Sequence, residues 1–324
     1  MKKLKYKFRI VGSCREQRRL VDAEVAFRAY AECDERAELN REAYLSAFNF
    51  GEDFREHLKE TGSTAGFTGI CGADWLWFDI DHPEDLEAAR LAAEKLCITL
   101  CERYFIVKDE LLVFFSGSKG FHIGLPTALW LPEPSTIFHK ITRRMAENIA
   151  AAAEVEIDFS IYDRVRAFRA PNSRHPKTGL YKRWLSVWEL TRFGTDKILK
   201  MAETATVFDI PEPTHRSGPA ATDWLRASGE LKQQAESAQQ SRINNGSARL
   251  NRLTLEFIRA GAKVGDRHRL LFSAAANLAE FDCPRPLAHA LLTEAALDSR
   301  LPPREINRQI ECGLDSLKKG EASA

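Results

Sequence analysis

The hydrophobic pattern changes period several times along this chain. Residues 20–39 and 50–60 place apolar positions at helical spacing, Leu20, Val21, Val25 and Phe27 among them, which predicts two amphipathic helices. Residues 74–80 are a nearly continuous apolar run, Trp75-Leu-Trp-Phe, closed by Asp79-Ile-Asp81, the pattern of a buried strand with carboxylates at its end. Pro83, with Glu84 and Asp85 behind it, marks a helix start, and that helix should run to about residue 104. Strands are predicted over 111–115 and 121–125, flanking a turn at 116–120. A helix over 135–153 follows, then β segments over 157–162, 166–170 and 181–190. Strands and helices mixed without a regular βαβ rhythm predict an α+β fold.

The pattern shifts again after residue 210. Residues 211–248 are rich in Pro, Gly, Ser, Ala and Gln and are predicted to be a polar linker with at most a loose helix. From 250 onward the periodicity is wholly helical, over 250–260, 266–281, 285–297 and 303–318, with Gly265-Asp266 and Pro302-Pro303 marking starts. The expected organisation is a catalytic domain over 1–210, the linker, and a small helical bundle over 249–324.

Composition narrows this only slightly. The 324 residues, 44% hydrophobic and 29% charged, suit a globular protein of one large and one small domain. The net charge of +1 decides nothing about nucleic acid, which responds to local patches. One such patch is plain: residues 164–183 hold seven Arg or Lys and no acid. Seven scattered cysteines with no CxxC spacing argue against a disulfide framework or a four-Cys zinc site, and Cys97 and Cys101 read as core thiols. The basic start has too short an apolar stretch for a signal peptide, and no run approaches the roughly 18 apolar residues of a membrane span. A cytoplasmic protein with no membrane partner is expected.

The candidate chemistry lies in three segments. On a strand Asp79 and Asp81 project to the same face, and two adjacent carboxylates are most simply compensated by Mg²⁺ or Mn²⁺; the plainer reading is two acids that open a turn. Ser116-Gly-Ser-Lys-Gly-Phe-His122 offers glycines that let backbone N–H groups approach phosphate, the hydroxyls of Ser116 and Ser118, the charge of Lys119 and the ring of His122. It also serves as an ordinary hairpin turn, and it is not a Walker A loop. Arg166 and Arg169 alternate with apolar residues in the basic strip and suit phosphate contact, or else a solvated edge strand. Asp158, at another expected strand end, either joins the first two acids or caps a turn.

In this order, Asp79-Ile-Asp81, the Ser-Gly-x-Lys-Gly-x-His segment and the Ile157-Asp158 step followed by Arg166-Ala-Phe-Arg169 resemble the archaeo-eukaryotic primase (primase-polymerase) superfamily. The resemblance implies that Asp79, Asp81 and Asp158 bind two divalent ions. It further implies that Ser116, Lys119, His122 and Arg169 hold the triphosphate of an NTP or dNTP, with Ser118 and Arg166 beside them and Arg41 as the upstream arginine often found there. The implied activity is two-metal nucleotidyl transfer that makes primers on a single-stranded DNA template, in the replication of a plasmid, phage or other mobile element. The segments at 265–272 and 301–310 resemble the primase C-terminal (PriCT) helical domain. The family's zinc cluster in some relatives has no counterpart here, and no helicase follows, so a separate replicative helicase is an expected partner. Two other readings stand beside this one: a metal-dependent nuclease or phosphatase, although Asp79-Ile-Asp-His-Pro83 lacks the hydroxyl residue of dehalogenase-type phosphatases, and a non-catalytic replication-initiation module that only binds DNA.

Overall fold

The first regular element is a strand. In the computed structural model, which describes residues 4–244, 250–263 and 265–316, β1 (Tyr6–Val11) buries Phe8 and Ile10. The helix expected over 20–39 is instead β2 (Arg19–Asp22) turning into α1 (Ala23–Ala31), because the Asp22 carboxylate accepts from the backbone N–H groups of Glu24 and Val25 and fixes the helix start there. The chain continues through β3 (Ala43–Ser46), β4 (Asn49–Phe50), α2 (Glu52–Thr61), β5 (Cys71–Gly72) and β6 (Trp75–Asp81). Asp85 then caps α3 (Leu86–Tyr104) through Ala88 N–H at 2.9 Å. β7 (Leu112–Phe115) and β8 (Gly120–Pro126) form the expected hairpin, followed by α4 (Phe138–Ala153).

Two expected β segments differ. Residues 157–162 hold a 3₁₀ turn, Phe159–Tyr162, capped by Asp158. Only β9 (Ala167–Arg169) and β10 (Arg183–Leu185) are extended in the region that follows. Beyond β10, Ser186 and Glu189 form a capping box that starts α5 (Val187–Arg192); this Ser-x-x-Glu signal was present in the sequence. After α6 (Thr195–Met201) comes α7 (Gly218–Asn244), a 27-residue helix inside the segment expected to be a linker. Ala220, Trp224 and Ala227 of α7 are buried in the main core, and Asp223 accepts from Arg103 at 2.6 and 2.8 Å and from the Tyr104 hydroxyl at 2.9 Å. Losing Asp223 would leave Arg103 and the buried Tyr104 hydroxyl without their acceptor, so this stretch is structural.

By contacts the chain divides into Met1–Ala235 and Glu236–Ala324. The first unit is α+β, with two antiparallel sheets: β5-β4-β1-β3-β9 with β2 added to β1, and β10-β7-β8-β6. The second is all helical: α8 (Arg252–Ala260), α9 (Arg267–Ala279), α10 (Arg285–Asp298) and α11 (Pro303–Leu314), closed around Phe257, Leu271, Leu278, Leu292, Ile306 and Ile310. Arg252 pairs with Glu256 and Arg269 with Asp266, while Arg267 donates to the Ser299 and Arg300 carbonyls. Residues 245–249 of the expected linker and bundle start, and 317–318 of the expected last helix, lie outside the described residues. None of the seven cysteines is in a disulfide, and Cys97 is fully buried. Among the described residues no helix is long and apolar enough to cross a membrane.

Candidate active site

Strand alternation divides β6 into two faces. Leu76, Phe78 and Ile80 are fully buried in the core on one face, while Trp75, Trp77, Asp79 and Asp81 take the other. β8 lies alongside with Asp79 opposite His122 and Asp81 opposite Gly120. That approach requires a glycine, since a Cβ at Gly120 would sit 1.9 Å from the Ile80 carbonyl oxygen and 2.6 Å from Asp81 Oδ1. The turn before it closes when Ser116 N–H donates to the Gly120 carbonyl (2.9 Å) and Gly120 N–H donates to Ser116 Oγ (3.2 Å). Gly117 takes a left-handed φ of 88°, and the Thr178 hydroxyl donates to its carbonyl at 2.6 Å, bracing the loop from outside.

The result is a recess of about 190 Å³ lined by Asp79, Asp81, Ser116, Ser118, Lys119, His122, Arg166 and Arg169, with Tyr44, Phe168 and His175 completing the wall. Eight of the ten sequence-predicted residues therefore meet in one place. Arg166 and Arg169 both reach it because β9 starts only at Ala167, and Arg166 stands before the strand, its N–H tied to the Asp163 carbonyl at 3.0 Å.

Asp158 and Arg41 are placed differently. Asp158 is adjacent, since its N–H donates to the Asp79 carbonyl at 2.8 Å, but its carboxylate accepts from Ser160 N–H (2.8 Å) and Oγ (2.7 Å). Arg41 is exposed, pairs with Glu38 at 3.1 Å and is not part of the lining.

Charge in the recess is arranged around a buried acid. Burial alone would push the Asp79 carboxyl up. The His122 contact at 3.3 Å and the charges of Lys182 and Lys119 outweigh burial and hold it below the usual carboxylate range. Burial, then Lys182, push the His122 imidazole below its ordinary value against the pull of Asp79. Its ring lies 4.4 Å from that of Phe168. Lys119 is half-exposed and pairs with Asp81 at 2.8 Å, which raises its pKa. Arg169 stacks over Tyr44 at 5.1 Å and donates to its hydroxyl at 3.3 Å, while Nη1 is buried without a partner.

Three further residues belong to this neighbourhood. Tyr44 is set opposite Arg169 by the β3–β9 pairing, a long-range register that no local motif announces. His175 enters from the turn that braces Gly117. Lys182, counted in the sequence only as one charge of the strip, is fully buried. Its ammonium sits 4.3, 4.9 and 5.1 Å from the ring centroids of Phe168, Phe114 and Trp77, and donates to the Arg169 carbonyl at 2.8 Å. Burial pushes its pKa well down, with Asp79 opposing.

The donor set fits a hard divalent ion at Asp79 and Asp81. The two lie on one face, and buried Asp79 Oδ1 has His122 Nε2 at 3.3 Å but no hydrogen bond of good geometry. One or two carboxylates, completed by water and phosphate oxygens, are the usual protein contribution to bound Mg²⁺. No group of three His, Cys, Asp or Glu side chains is gathered for an ion among the described residues.

No protein-family model matches the chain, and no curated protein sequence does. Among solved structures it is similar to the crystal structure of primase RepB′, with 11% identity and a TM-score of 0.39 over 99% of this chain and 94% of that one. It is also similar to the polymerase domain of Mycobacterium tuberculosis Ligase D in complex with DNA, with 18% identity and a TM-score of 0.34 over 59% of this chain and 69% of that one.

Proposed function

We propose that the first unit is a metal-dependent nucleotidyltransferase of the primase-polymerase type, which joins NTPs or dNTPs on a single-stranded DNA template. One observation carries this reading. Three segments far apart in sequence, Asp79-Ile-Asp81, Ser116 to His122 and Arg166 to Arg169, converge on one recess lined by two carboxylates together with hydroxyl, imidazole and basic side chains. Lys119, Arg166 and Arg169 outnumber the two acids, so an anion is favoured there, and the unpartnered Arg169 Nη1 awaits an acceptor.

Each residue then has a distinct task. Asp79 and Asp81 would hold Mg²⁺ or Mn²⁺, which when bound neutralises phosphate charge and lowers the pKa of an attacking hydroxyl. Ser116 and Ser118 donate hydrogen bonds to phosphate oxygens, and Lys119 and Arg166 supply charge at the mouth. Arg169, propped on Tyr44, presents its guanidinium in a fixed orientation. His122, packed on Phe168, adds a donor beside Asp79 without a second full charge. Asp158 stands beside Asp79, its N–H on the Asp79 carbonyl, and each of its carboxylate oxygens accepts one hydrogen bond from Ser160, which leaves lone pairs for a second ion.

Incubation with unprimed single-stranded DNA, labelled nucleotides and Mg²⁺ or Mn²⁺, resolved on a sequencing gel, tests the reading. Template-dependent products that start without a primer support it. Release of phosphate or cleavage of the strand without incorporation would replace it with a phosphatase or nuclease, and binding alone would leave a non-catalytic initiation module.

A further inference from the structure

The face of β6 that carries Asp79 and Asp81 continues through Trp77 and Trp75 into a second, larger space. Between the two sheets of the first unit lies a cavity of about 720 Å³, well inside the range of small-molecule sites. Phe168 and Arg169 line both this cavity and the recess. Phe27, Trp75, Trp77 and Phe168 give it aromatic walls, with Phe27 stacked on Trp75 at 6.5 Å.

Two of its buried polar groups are incompletely matched. Asn49 is 5% exposed; its Nδ2 donates to Asp74 at 2.8 Å, but Oδ1 is buried with no partner. Lys7 is 7% exposed, and its ammonium makes one hydrogen bond, to the Ser46 carbonyl at 2.9 Å, leaving two of its three donors open. An apolar ligand would leave these groups unpaired at a cost of about 1–3 kcal/mol each. The charged side chains of the lining nearly balance, Lys5, Lys7, Arg28, Arg169 and Lys182 against Asp22, Glu24, Asp74 and Glu212, so the cavity as a whole favours a ligand without net charge. What remains is a flat, uncharged ring with a donor and an acceptor on adjacent edge positions, which every nucleobase has, stacked on aromatic walls as bases are in single-strand sites.

We propose that this cavity takes a single unstacked nucleobase, Asn49 Oδ1 accepting from its amino or imino group and Lys7 donating to a ring nitrogen or carbonyl. The proposal stands apart from nucleotidyl transfer, since the cavity would bind a base whether or not the recess joins nucleotides.

Titration of the full-length protein with adenosine and with cytidine, neither of which carries phosphate, tests it through tryptophan fluorescence and calorimetry. Saturable binding is expected, weakened about tenfold in Asn49→Ala, lost in the cavity-filling Ala47→Leu and retained in Lys119→Ala. Circular dichroism and melting confirm that each variant folds. Two further arms separate the sources of the base: a short single-stranded oligonucleotide and the same strand with abasic sites. Preference for the base-bearing strand assigns the cavity to a template or primer base. Nucleoside binding without that preference assigns it to a free nucleotide. No saturable binding at millimolar nucleoside, or binding undiminished in folded Asn49→Ala and Ala47→Leu, would overturn the proposal and leave a water-filled cavity.

Discussion

The hairpin at 116–122 and the basic strip at 164–183 are the two densest runs of candidate chemistry, and they fold to opposite effect. The hairpin brings all its polar side chains, Ser116, Ser118, Lys119 and His122, to one recess. The strip scatters its charges. Arg164 donates to the Phe67 and Thr136 carbonyls, Arg174 to Gly179, Arg183 to Thr204, and Lys182 is enclosed by aromatic rings; only Arg166 and Arg169 line the recess. A tight turn on a paired strand fixes where each side chain points. A charge count along irregular chain does not, because guanidinium groups are equally useful for satisfying buried carbonyls. Substitutions should therefore behave differently in the two regions.

The largest effect is expected beside the hairpin. Asp79→Ala and Asp81→Ala should bring nucleotide incorporation to background while the melting temperature stays near that of the parent, measured by primer extension and calorimetry. A near-parental rate in either would remove the carboxylates from the chemistry. Within the hairpin, Lys119→Ala and His122→Ala should raise the KM for nucleotide by about ten- to a hundredfold, the loss of one charge-assisted hydrogen bond, with single-strand affinity little changed. The opposite split would reassign the loop to the template.

In the strip the arginines should separate. Arg169→Ala should weaken nucleotide binding with little change in stability. Arg164→Ala should leave KM alone and cost roughly 1 kcal/mol for each abandoned carbonyl in urea unfolding. Similar kinetic losses in both would mean that the strip acts as one surface after all. A further effect, read in stability and not in turnover, concerns Lys182. Its folded pKa lies well below the ordinary 10.5, so between those two values the unfolded chain holds a proton that the folded chain does not. Stability should thus rise with pH across that window, by at most about 1.4 kcal/mol per pH unit. Lys182→Met should flatten that slope in pH-dependent unfolding.

What was legible in the sequence follows the same physical line. Contiguous apolar runs and turn chemistry located β6, α3 and the β7–β8 hairpin to within a few residues, and the α+β class with them. Short strands were not legible. β4, β5 and β9 are two or three residues long, and what holds them is pairing across the sheet, not local pattern. The same holds for Tyr44, which joins the site only through its register with Arg169. The polar stretch at 211–248 misled for another reason. A long helix needs only a few apolar anchors, here Ala220, Trp224 and Ala227, and its average composition hides them. A fragment meant to isolate the first unit has to extend to Ala235, since one ended at 215 loses those anchors and the partner of Arg103.

The alternation along β6 also restricts how this gene can vary. Because successive residues face opposite sides, inserting one codon between Phe78 and Asp79 would turn both carboxylates into the hydrocarbon core and bring Ile80 out in their place. Length changes in this strand are therefore tolerable only in twos, and related sequences should align through it without a single-residue gap.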